Sequence, residues 1–122
     1  MIEEKLIRLV NLARAEPMRP ARAIVMELLH DARTGSIDLR DIGRPDFKDE
    51  DKLALSAALI EHIAAQAQQD PPGWTQDVGA VTAPVYLVKF GLPKMKALYE
   101  AESPEPLRRR HFYAPSGYLV PA

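Results

Sequence analysis

The sequence predicts a mostly α-helical protein, a small bundle of three N-terminal helices followed by an irregular helical C-terminal module. Three features carry that expectation. Apolar residues recur at helical spacing through the first 70 positions, Asp70-Pro71-Pro72-Gly73 stops the pattern, and Gly79, Pro84, Gly91 and Pro93 punctuate the remainder of the chain. With 122 residues the chain has room for one core. Residues 1–122 are therefore expected to form one domain, 1–70 as the bundle part and 71–122 as the C-terminal module.

Ile2, Leu6, Leu9, Val10 and Ala13 share one helical face, which predicts a first helix over residues 2–15 that ends at Glu16-Pro17. Pro20 suits the first turn of a second helix, whose face is Ala21, Ile24, Val25, Leu28, Leu29 and Ala32. Gly35 can supply the left-handed residue that closes it. Residues 36–47 fit a connector or a short strand equally. Asp46, Asp49, Glu50 and Asp51 then precede a strongly helical segment, 52–69, where negative charge suits the positive end of the helix dipole. Its apolar residues, Leu53, Leu55, Ala57, Leu59, Ile60, Ile63, Ala64 and Ala67, cover more than one stripe, so this third helix should be contacted from several sides.

In the C-terminal module Val85-Tyr86-Leu87-Val88 reads as a turn of helix or a brief strand. Residues 93–102 read as a helix with Met95, Leu98 and Tyr99 facing inward. Ser103 as N-cap and Pro104 as first residue would open a last helix, with Arg108, Arg109 and Arg110 near its negative end. Ala114-Pro115-Ser116-Gly117 has the residues of a turn and predicts a short terminal hairpin between 111–113 and 118–120.

Composition narrows the function. An apolar fraction of 47% with 27% charged residues of nearly balanced sign belongs to an ordinary folded protein. The acidic start, Glu3-Glu4, is unlike a secretory signal, and no apolar run reaches the roughly 18 residues a membrane span requires, so a cytoplasmic protein with no membrane partner is expected. The absence of cysteine excludes disulfides, thiolate nucleophiles and thiolate zinc sites. His30, His62 and His111 are dispersed, and none forms a zinc-binding spacing with another histidine or a carboxylate. The serines lack a nucleophile-elbow setting, and nothing resembles a phosphate-cradling loop or a dinucleotide fingerprint. Asp46, Asp49, Glu50 and Asp51 match no calcium loop, and helix-dipole complementation accounts for them. The chain is thus expected to use no cofactor, no metal and no catalytic residue, and to act by binding.

The net charge of −1 hides an uneven distribution, +1 over residues 1–48, −5 over 49–78 and +3 over 79–122. Half of the tail's positive charge is Arg108-Arg109-Arg110, which leads into His111-Phe112-Tyr113. Arginine beside aromatic residues is typical of interface hot spots, and the same composition can grip phosphates and stack bases. Three roles compete: docking to an acidic protein partner, anchoring to the chain's own acidic middle, and binding nucleic acid. Docking is favoured over nucleic acid because the basic residues are few and affinity for nucleic acid scales with phosphates neutralised. Trp74, Arg108, Arg109, Arg110, Phe112 and Tyr113 are the expected partner-binding residues.

Trp74, Pro84-Val85-Tyr86, Ser103-Pro104, Leu107-Arg108-Arg109-Arg110 and Tyr118-Leu119-Val120 resemble the C-terminal half of small bacterial antitoxin-like proteins encoded beside nucleotidyltransferase-like toxins. The resemblance covers residues 74–120, and those proteins usually carry Asn where this chain has His111. It implies neutralisation of a toxin partner by direct contact. The alternative is a DNA-binding regulator that uses the arginine-rich tail or the first two helices, with Arg14, Arg19, Arg22 and Arg33 near phosphates. The linker Glu16-Pro17-Met18-Arg19-Pro20 is a poor match to the usual turn of that motif.

Overall fold

The third helix organises the molecule. In the computed structural model, which describes residues 6–11, 18–87 and 93–114, eleven consecutive positions of this helix, Ala54 to Ala64, are buried. Such continuous burial requires neighbours on all sides, as the wide apolar coverage of the sequence predicts. Residues 6–11 form α1 and Met18–Arg33 form α2. The central helix, α3, spans Glu50–Ala67. Further on are α4, Pro93–Glu102, and α5, Glu105–Arg108. Two short strands, β1 (Val85–Tyr86) and β2 (Phe112–Tyr113), complete the described architecture. The chain is mostly helical, as predicted. Among the described residues no helix is long and apolar enough to cross a membrane.

The helix boundaries follow from local chemistry. On α1, Leu6, Leu9 and Val10 are buried as their spacing requires, while Ile2, Ala13 and the expected end at Pro17 lie outside the described residues. On α2 the buried face is Ile24, Val25, Leu28, Leu29 and Ala32. The helix closes through Thr34 N–H to His30 O at 3.0 Å and Ser36 N–H to Asp31 O at 2.9 Å, around Gly35 at φ 79°. A side chain at that φ would be strained, which is why glycine stands there. The connector 36–47 contains no strand; it holds a single 3-10 turn, Leu39–Asp41, capped by Asp38. At the start of α3 the Asp49 carboxylate accepts hydrogen bonds from Asp51 N–H at 2.8 Å and Lys52 N–H at 3.4 Å. Asp49 therefore satisfies helix donors that would otherwise be open. Gln68, left-handed at φ 57°, ends α3 just before the proline pair.

The segments on either side of Pro71-Pro72 share one core. Apolar residues from Leu6 through Phe112 and Ala114 form a single buried cluster, with Trp74, Val78 and Val85 packed against it. Gln69 joins the ends of α2 and α3: its side-chain amide donates to Ala32 O at 2.5 Å and its carbonyl accepts from Leu39 N–H at 3.2 Å. Arg33 adds a bond to Gln66 O at 3.2 Å.

Two expectations for the C-terminal part, those for Ser103 and Leu98, are corrected. Phe112-Tyr113 pair with Val85-Tyr86, in parallel, with Val85 opposite Phe112 and Tyr86 opposite Tyr113. A parallel pair needs a crossover, which α4 and α5 supply, so β2 closes a β-α-β unit; the second arm of the expected hairpin, 118–120, lies outside the described residues. Ser103 does not cap α5, whose N-cap is Pro104. The Ser103 hydroxyl donates to Tyr99 O at 2.6 Å and accepts from Ala114 N–H at 2.8 Å, so it fastens the end of α4 to the end of β2. On α4, Tyr99 is buried and Met95 half-buried, but Leu98 is 50% exposed. Inward positions are taken by 95, 99 and 102, and 98 lies at the edge of that face, where its side chain is left uncovered.

The contrast between core and surface leucines is measurable. Leu59→Ala is expected to lower the unfolding free energy by about 2–5 kcal/mol through lost burial and a residual cavity. Leu98→Ala should change it by less than about 0.5 kcal/mol. Urea denaturation of both variants checks the ordering.

Candidate functional site

Glu61 introduces a single carboxylate into the buried run of α3 between Ile60 and Ile63. A charge there must find a partner, because burying an unpaired carboxylate is far costlier than burying a hydrocarbon. The partner is Arg110, itself 5% exposed. Its Nη1 donates to Glu61 Oε1, and its Nη2 donates to Glu61 Oε2 at 3.2 Å and to Thr75 O at 2.8 Å. Its Nε donates to Val78 O at 3.3 Å. Arg109 Nη2 donates to the same Oε1 from the outside, and Arg109 Nη1 lies 3.6 Å from Glu105. Burial on its own pushes the Glu61 carboxyl up, but the hydrogen bonds from Arg110 and Arg109 prevail and hold it below the ordinary carboxylate value. Arg109, bonded to Glu61, is held above the ordinary guanidinium value.

The expected partner-binding residues thus separate. Phe112 is fully buried in the core and Arg110 is enclosed, so neither can touch a partner. The apolar volume of Phe112 is the largest available on β2, and the carboxylate of Glu61 fixes Arg110 inward. Trp74 is half-buried, its indole N–H donating to Ile42 O at 2.9 Å, which gives it a structural tie to the connector. Tyr113 is half-buried with its ring centroid 5.3 Å from that of Tyr86. Arg108 is exposed, with Nη1 3.5 Å from Ala101 O at the end of α4. Arg109 is half-exposed. Of the three roles weighed for the arginine run, anchoring to the acidic middle of the chain describes Arg109 and Arg110. Of the arginines weighed for DNA, Arg33 donates to Gln66 O and is exposed, and Arg14 and the side chains of Arg19 and Arg22 lie outside the described residues.

His62 is 3% exposed and belongs to the interior. His111 is half-buried at φ 69°, a left-handed conformation, and its Nδ1 is 2.7 Å from Val81 O. Asp49 is engaged as a cap, with Glu50 and Asp51 in the first turn of α3.

Reading the sequence misses two groupings. Glu61 was legible only as the one charge inside an apolar helical run. The other is a surface cluster around β1, where the Tyr86 hydroxyl donates a short hydrogen bond to Glu100 and Lys96 Nζ stands 5.7 Å from the Tyr86 ring centroid. Lys96 and Glu100 are one helical turn apart on α4, so both reach Tyr86. Partial burial and the Glu100 carboxylate push the Tyr86 hydroxyl up to about 12.

Comparison with known proteins gives no match: no family model, no curated protein and no solved structure corresponds to the chain.

Two measurements test this geometry. Glu61→Ala leaves Arg110 buried without its carboxylate and is expected to cost about 3–5 kcal/mol. Because the Glu61 carboxyl is depressed in the folded state, the stability it supplies is complete above the unfolded value near 4.5 and is lost as pH falls through the folded one. Acid unfolding of the more conservative Glu61→Gln chain should therefore begin from lower stability and show a shallower pH slope than the unaltered chain. For Tyr86 the sign is opposite: a raised hydroxyl stabilises below the ordinary value near 10 and ceases to do so as pH rises through about 12. An ultraviolet titration should show one late tyrosine step that Glu100→Gln moves down toward 10.

Proposed function

We propose that the protein is a non-catalytic protein-binding module whose docking face is the outer side of α4. The observation that carries this reading is the exposed stripe Lys94, Ala97, Leu98 and Ala101, at i, i+3, i+4 and i+7, with Arg108 beside its last member. Leu98 and Met26 are the large apolar side chains left exposed among the described residues; Leu98 is flanked by two exposed alanines, Ala97 and Ala101, and Met26 by one, Ala23. An apolar centre with a cation at each end has the anatomy of a protein interface, in which a dry middle supplies affinity and charged margins select the partner. A second copy packed antiparallel on this face would bring Lys94 of one chain toward Arg108 of the other, which is repulsive. The favoured occupant is an acidic protein surface.

The resemblance to antitoxin-like proteins supplies the specific form of this reading, in which the partner is a nucleotidyltransferase-like toxin neutralised by occlusion. His111 is compatible with it. Asn and His are both enriched among residues that tolerate the left-handed backbone found at this position, so the Asn of those proteins would serve the same turn.

The test is co-expression with the tagged product of the adjacent gene. Recovery of the complex should fall at least tenfold on Leu98→Asp or Ala101→Glu, with circular dichroism unchanged and with Met26→Asp as a surface control that retains binding. Full recovery with both α4 variants would remove the reading.

A further inference from the structure

We draw no further inference here: the strongest candidate, the hollow at the start of α3 lined by the carboxylates of Glu50, Asp51 and Asp77 with the guanidinium of Arg44, is a cluster of acidic residues at a helix N-terminus, and nothing in the structure shows what occupies it.

Discussion

The fold depends on one buried ion pair. Glu61 occupies the middle of the most buried helix, and removing its carboxylate from water is unfavourable unless a cation follows it inside. Arg110 does so, and its guanidinium does more than neutralise. By bonding Thr75 O and Val78 O as well as Glu61, it ties α3, the 3-10 turn Gly73–Asp77 with the following Val78, and the entry to β2 together. Carbonyls at the end of a 3-10 turn are short of backbone donors, and here a side chain adds them at Thr75 O and Val78 O. The pair is thus as much a specification of where the C-terminal part sits on α3 as a source of stability.

That constraint explains how a two-residue parallel pair can exist at all. Strands this short hold little by themselves, and a parallel pair has to close a long connection before any ladder forms. Around β2 the connection is fixed from three sides. Arg110 is held by Glu61, Phe112 is buried in the common core, and Ala114 N–H is held by the Ser103 hydroxyl at the end of α4. Between the first two anchors His111 turns through a left-handed conformation while its carbonyl accepts from Val85 N–H at 2.8 Å. The strand pair follows from the anchors, not the reverse.

What was legible in the sequence tracks the range of the interaction. Features governed by neighbours within one or two turns were readable: the Gly35 closure of α2, the acidic start of α3, the stop at the proline pair, and the face of α1 and α2 that carries Leu6, Leu9, Leu28 and Leu29. Features set by distant partners were not. Ser103-Pro104-Glu105 has every local mark of a helix start, yet the Ser103 hydroxyl is taken by Ala114, eleven residues on. Arginine next to aromatics describes an interface and an internal anchor equally well. The difference lies in Glu61, 49 residues before Arg110, whose significance appears only once α3 is known to be enclosed.

Three consecutive arginines therefore meet three different fates. On a helical turn successive side chains point about 100° apart, so a run of like residues at the end of so short a helix cannot present one uniform face. Arg108 turns toward the end of α4, Arg109 stands at the boundary, and Arg110 enters the core. The enclosed member fixes the position of the other two, because the backbone that places Arg110 on Glu61 also places Arg109 above it. The exposed members of the run are thus positioned by the same carboxylate that the core could not have buried alone.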